Sequence, residues 1–393
     1  MASVVNDRLL RGRDIRVGIY PQATKGAVDA SPVFVPYRRT TGKPTVTIGY
    51  TQDETIQLDN QGQQNIQDTK EYTVEIESSV SKQTIGLLIQ AIHGVEVAYT
   101  NTAITFEATA TGFILPAATY AALSVSDGFW IEGFDNDEND GFYIVASKDG
   151  ANEITTTIPP AAPEAAGESV TLTTNKTLNA DAPTYNLIQR RVTDLSEATD
   201  ISYLTLYDAV LNTLSIEIGE TGIVTNSAAF VAERRIEGTG SIAGQTYAAA
   251  STDRSISAVQ NIPGFYVDGL DYTCIQKSMS IEVNNNYAGD DAAGCTRQFA
   301  RGQFAVSGSA AFRARISNSL DWERFYQEGT TKSLGVRISH GGGDETYIVM
   351  PQALITEHSQ ADGANDVANH EVSFGAEGNA ATNSTIMVFR NWV

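Results

Sequence analysis

Two short helices far apart in the chain constrain its fold most, because each follows the same kind of strand. In SVSKQTIGLLIQAIHG (79–94), Ser81 is the expected cap, Ile85, Leu88, Ile89 and Ile92 share one face, and Gly94 is the stop. In ISNSLDWERFYQEGT (316–330), Asn318 or Ser319 caps, Trp322, Phe325 and Tyr326 fall at i, i+3 and i+4, and Gly329 ends the helix. Ahead of them stand EYTVEIESSV (71–80) and GQFAVSGSAAFRARI (302–316), both alternating apolar and polar with the period of a strand.

The correspondence extends in both directions. Upstream, KPTVTIGYT (43–51) and CIQKSMSIEVNNN (274–286) each lead into a polar loop. Downstream, 201–233 matches 345–377, with Phe230 against Phe374 and the ending FVAE against FGAE. Such a repeat predicts two tandem domains of one design. In the second half KSLGVRI (332–338) follows its helix almost at once, whereas its counterpart YNLIQRRV (185–192) comes much later, so a module is inserted between. That insert carries five short strand patterns joined by turn residues, as a small barrel or Ig-like sandwich would. It is expected to project into solvent.

The predicted layout is an N-terminal arm with little regular structure (1–40), a discontinuous first domain (41–96 and 175–237), the insert (97–174), a linker (238–258) and a second domain with a C-terminal arm (259–393). With Tyr and Phe numbering 30 together against 4 Met, the expected class is mainly β, a β-rich α+β fold.

The chain has 26 Lys and Arg against 47 Asp and Glu, a net charge of −21. That balance argues against general binding to a phosphate backbone. The N-terminal stretch is too charged for a secretory leader, and no apolar run approaches the ~20 residues of a membrane span. Cys274 and Cys295 are too few for a disulfide scaffold and are read as free thiols, with a pairing across the loop between them left open.

Catalytic and metal constellations are not expected. His93, His340, His358 and His370 lack metal-pair spacing. FDNDENDG (134–141) has Asp140 and Ala146 where a calcium loop needs Gly and Glu, so it reads as a hairpin turn. HGGGDE (340–345) lies between strand patterns and reads as a hairpin connection. No cofactor is implied.

The order KSMSIEV, polar loop, RGQFAVSGSAAFRA, DWERFYQEGT, together with LYDAVLNTLSIEIGETGIVTNSAAFVAE, resembles the major tail tube proteins of long, flexible-tailed bacteriophages (siphophages), over about 40–95 and 176–380. The resemblance implies two tandem tail-tube-like β-sandwich or barrel domains, each with a flanking helix, and a structural role without catalysis. Six copies of that fold close a ring in the family; a chain carrying two would need three copies, a homotrimer with pseudo-sixfold symmetry. Rings stack into a channel through which double-stranded DNA passes without specific binding.

The implied partners are other copies of the chain and the tape measure, tail-tip and terminator proteins. The implied location is the virion tail, assembled in the host cytoplasm, without a membrane. By the same resemblance, Asp53, Glu54, Asp59, Asp68 and Glu71, and in the second half Asp290, Asp291 and Arg297, belong to ring-stacking loops. Arg234, Arg235 and Arg390 are candidates for bridging between rings. The alternative of another class is a β-rich receptor-binding or adhesin virion protein with the insert as its head.

Overall fold

A computed structural model describes residues 15–41, 44–52, 65–194, 199–268, 270–273, 275–290, 298–314, 319–361, 368–378 and 384–391. The chain begins with β1 (Ile15–Pro21), β2 (Val33–Pro36), β3 (Pro44–Gln52), β4 (Asn65–Ser79), α1 (Lys82–Ala91) and β5 (Val95–Ala103). Then come β6 (Glu107–Ala108), β7 (Gly112–Ile114), α2 (Ala117–Ala122), β8 (Gly128–Glu132), β9 (Gly141–Lys148), β10 (Glu153–Thr156) and β11 (Val170–Leu178). The middle holds β12 (Asn186–Asp194), β13 (Thr199–Ile218), β14 (Thr225–Ala232), β15 (Arg234–Gly238), β16 (Thr246–Tyr247), β17 (Gly264–Val267) and β18 (Leu270–Asp271). The remainder is β19 (Gln276–Asn284), β20 (Ala288–Asp290), β21 (Gln298–Ala300), β22 (Ala305–Arg313), α3 (Ser319–Glu328), β23 (Thr331–Gly341), β24 (Asp344–Ala361), β25 (Asn369–Ala376) and β26 (Met387–Asn391). The protein is β-rich, as its strand-forming composition predicts.

Two runs of strands follow one pairing pattern. The first is β3-β4-β14-β13-β12-β1, and the second is β19-β22-β25-β24-β23-β17, antiparallel throughout. A bulge falls between Leu211 and Thr213 in β13 and between Ile355 and Glu357 in β24. Leu211 pairs with Phe230 just as Ile355 pairs with Phe374. The two longest strands each serve two neighbourhoods: β13 runs from between β12 and β15 to between β14 and β19.

The helices lie over one continuous core to which both runs contribute. In α1, Ile85 and Leu88 are fully buried, as is Ile92 just past its end, and the Ser81 N–H donates to Thr84 Oγ1 at 3.2 Å. The left-handed residue closing α1 is His93 (φ 50°), with the Gly94 N–H bonded to Ile89 O at 2.8 Å. Gly94 is needed for a different reason, since a Cβ there would collide with Thr177 Cγ2. In α3, Gly329 (φ 60°) does take the left-handed position. Trp322 is buried and stacks on Phe312, with Tyr272 and Phe325 edge-on around it. Asn318, the other capping candidate, lies outside the described residues.

Within 15–41, two strands form despite the three prolines. β1 pairs with β12 from Ile15↔Val192 to Pro21↔Asn186, and the following turn is pinned where Gly26 N–H and Gln22 Nε2 donate to Asp208 Oδ1. Proline at position 21 closes β1, where a missing donor costs little. The 238–258 segment also returns to the body: β16 runs parallel to β2, and Arg191 stacks on Tyr247 at 3.5 Å.

Residues 106–172 have a core of their own, with Phe113 at its centre against Phe129, Phe134 and Tyr143. Its stem is the β5–β11 ribbon, paired from Val95↔Leu178 to Ala103↔Val170. It is also fastened sideways: β11 pairs with β26, and Phe142 lies edge-on to Tyr347.

Candidate functional site

The candidate surface assembles from the two runs of strands. Eight segments follow one another in the order β3, β4, β14, the end of β13, β19, β22, β25 and the end of β24. The join is the ladder between β13 and β19, from Thr213↔Asn284 to Ile218↔Met279. Away from the bulges, β4, β14, β13, β19, β22 and β25 alternate between covered and open positions, as a sheet with one covered face must. Val74 and Ile76, Leu214 and Ile216, Ile281 and Val283, and Val372 and Phe374 turn inward and are buried beneath the helices.

The opposite face carries Ser, Thr and Glu. Glu75, Glu77, Glu217, Glu282, Glu357 and Glu371 are exposed there, interspersed with hydroxyls such as Ser215, Ser280, Ser307 and Ser309. Ser227 Oγ donates to Glu75 at 2.8 Å and Ser373 Oγ to Glu357 at 3.3 Å, ties that orient carboxylates along the sheet. A depression of about 410 Å³ crosses five strands between Glu217, Glu282 and Glu357, so the face is concave. Lys277 and Arg313, at its border, both turn to Glu220, at 3.7 and 3.4 Å. The surface is polar, acidic and poor in cations.

The stacking-loop candidates fall mostly outside the described residues: Asp53, Glu54, Asp59, Asp291 and Arg297 do so. Asp68 and Glu71 belong to β4, and Asp290 ends β20. Glu71 lines a groove of about 820 Å³ that also holds Arg39 and Arg190. Cys274 and Cys295 lie outside the described residues too.

The three cation candidates each engage an acid of their own chain. Arg234 Nε is 3.7 Å from Asp208 and its guanidinium covers the Tyr207 ring at 4.5 Å. Arg235 pairs with Glu237 at 2.7 Å, and Arg390 with Glu96 at 3.1 Å. Of the alternatives weighed for chemistry, the Asp140 carboxylate accepts from the N–H groups of Gly133 and Phe134, and three left-handed glycines, Gly341, Gly342 and Gly343, turn β23 into β24. Among the described residues no cluster of three or more His, Cys, Asp or Glu could hold a metal. No helix among them is long and apolar enough to cross a membrane.

The sequence missed two features. The outward Ser, Thr and Glu positions were legible as alternation, but which face is concave depends on long-range pairing. The histidines, scattered in sequence, are not all scattered in space: His358 Nε2 and His370 Nδ1 lie 3.0 Å apart on adjacent strands, with rings stacked. Burial, and then the neighbouring His358, push the His370 pKa down.

A family model for phage tail tube proteins matches residues 12–377. The chain belongs to the phage tail tube protein family. It is thus a structural protein of a bacteriophage tail tube and a component of the virion tail. Among curated proteins none matches it. For a tail tube protein, the acidic face, hollowed across β13, β19, β22, β25 and β24, is the feature that calls for a role, because tube subunits self-assemble.

Proposed function

We propose that this tail tube protein builds the channel of a long, flexible (siphophage) tail, with its concave acidic sheet as the channel lining. The observation that carries this reading is the recurrence of one strand order, bulge included, in two halves of the chain joined edge to edge. On it rests the duplication: one tube domain in 41–96 and 175–237, a second in 259–393, with β1 and β17 as further equivalents. Three chains then supply six domains to a ring. Self-association closes and stacks the rings; tape measure, tail-tip and terminator proteins are the further partners, and assembly takes place in the host cytoplasm. Residues 97–174 decorate the outside.

Electrostatics supports the lining. Double-stranded DNA carries a negative charge per ~1.7 Å of axis, and a wall of Glu and hydroxyls offers it no counter-charge to hold. DNA slides past such a wall instead of adhering. Native mass spectrometry of the purified protein tests the copy number. Particles at three times the 42.2 kDa chain mass, or multiples of that, are expected. A monomer at every concentration contradicts the reading.

A further inference from the structure

A groove of about 580 Å³ on the first half is lined by Arg16, Arg38, Arg39 and Arg191, with no acidic residue in its wall, in a chain whose net charge is −21. Three of these cations form a row across adjacent strands. β1 sets Arg16 opposite Arg191 of β12, and the β1–β2 register, carried on by the Tyr37 N–H to Val17 O bond of 2.9 Å, brings Arg38 to the other side of Arg16. Like charges directly opposite one another destabilise a sheet. Arg16 is exposed, and Arg38 donates to a carbonyl, Asp253 O, which holds the guanidinium without neutralising it. Val17, the next residue, packs in the core beneath the acidic sheet, so the Arg16 row lies on the far side of the domain from that sheet's open face.

The second half shows that the fold does not require such a row. Arg191 faces Tyr203 as Arg337 faces Tyr347, and Gly264 stands where Arg16 stands. Glu345 there accepts from Arg337 Nε at 3.0 Å and from its Nη2 at 2.7 Å, so the equivalent arginine is matched by an acid of its own sheet.

The insert has the complementary charge. Residues 97–174 hold 11 Asp and Glu against a single cation, Lys148, which donates to Tyr120 O and Leu123 O. The last residues of β11, Lys176 to Leu178, pair with β26 on the body, whereas Glu132 of β8 meets its far end at Thr171, so the turn after Glu132 is at the tip. Asp135, Asp137 and Glu138 are exposed in that turn, with Glu132 and Glu168 beside it in the fold. The turn is preset: Asp140 accepts from the N–H groups of Gly133 and Phe134, and Glu164 from those of Asp135 and Asn136. A fixed tip loses little freedom on docking.

Resting on the self-assembly reading above, we propose that the acidic tip of one copy's insert docks in the arginine groove of another copy, as a clasp on the outside of the tube. Each insert is fastened to its own second half through β26 and Tyr347, while the groove belongs to the first half, so the tip that fits it is a second copy's. Guanidinium forks receive carboxylates bidentately, and the attraction falls as salt screens it. Assembly does not depend on the clasp; the clasp reinforces it.

Charge reversal in the full chain tests the pairing. Arg16→Glu with Arg38→Glu, and separately Asp137→Arg with Glu138→Arg, should each raise the concentration at which assembly begins by about fivefold at low salt. The effect should vanish at high salt, and the four changes together should restore most of the loss. A conservative variant gives a direct readout. In assemblies mixed from isotopically light and heavy chains carrying Arg38→Lys, a carbodiimide, which joins an amine to a carboxylate with loss of water, should link residue 38 of one chain to the 132–140 turn of another. Tubes in which neither reversal matters, or in which the combination is no better than the single reversals, overturn the clasp and leave the tube reading standing. So does a groove reversal that changes only retention of double-stranded DNA, which would make the groove a nucleic-acid site. Absence of assembly by the wild type at every salt concentration overturns both readings.

Discussion

Trp322 stacks on Phe312 with ring centroids 4.3 Å apart and planes 15° from parallel, fastening α3 to the C-terminal end of β22. Both rings are fully buried. Trp322→Ala should therefore cost about 3–5 kcal/mol of unfolding free energy, the range for deleting a buried aromatic side chain. Denaturant unfolding measures it, and a loss below about 1 kcal/mol would show that α3 is not anchored through this residue.

His93 gives a second prediction. The Thr184 N–H donates to its Nδ1 at 3.3 Å and its Nε2 meets Tyr287 Oη at 3.0 Å. Burial, reinforced by the charge of Arg301, lowers its pKa from 6.5 to about 4. The unfolded chain thus takes up a proton at higher pH than the folded one, so this contribution is intact above pH 6.5 and is lost as pH falls towards 4. The stability difference between the wild type and His93→Gln should shrink across that window. A constant difference would contradict the assignment.

Asp127 works in the opposite sense. Its carboxylate is fully buried 3.2 Å from Lys176, where the insert's stem meets the body. Burial raises its pKa, against the opposing pull of Lys176. A raised carboxyl pKa favours the folded chain at low pH, so its contribution falls as pH rises from ~3.9 through the folded value. Relative to Asp127→Asn, the wild type should lose stability over that rise; the reverse slope would contradict it.

The paired residues of β5 and β11 make the insert removable. Val97 and Lys176 face each other across the stem, so Asn-Gly can join them in place of 98–175. The shortened chain is expected to fold and to assemble, with some stability lost where Phe142 covers Tyr347. A folded but non-assembling product, seen by circular dichroism with sedimentation, would show that the insert takes part in assembly.

The lining predicts a charge effect. Glu217→Lys with Glu282→Lys places cations on the concave face, and tubes of this variant should retain double-stranded DNA at low salt and release it as salt rises. Wild-type tubes should not retain it. Equal behaviour of the two in a co-sedimentation assay would place these residues off the DNA path.

Much of the fold was legible because local pattern and tertiary role agree. Period-two stretches such as EYTVEIESSV and SGSAAF bury one side of each strand, and the apolar stripes of α1 and α3 cover one core. β1 was not legible because Pro21, Pro32 and Pro36 advertise irregularity, whereas the strand is held by β12, a partner far along the chain. Gly94 signalled a helix stop correctly, yet the left-handed turn belongs to His93 and the glycine makes room for Thr177. The candidate site was the least legible part, since Glu217, Glu282 and Glu357 become one surface only through the β13–β19 join and the β25–β24 pairing.

The most direct measurement is a cryo-electron microscopy reconstruction of tubes assembled from the purified protein. The account predicts a hollow ring of three chains with six similar lobes, three outer projections, and Glu217, Glu282 and Glu357 facing the lumen. A ring whose lumen is lined instead by the face carrying α1 and α3, or a compact oligomer with no channel, would contradict it.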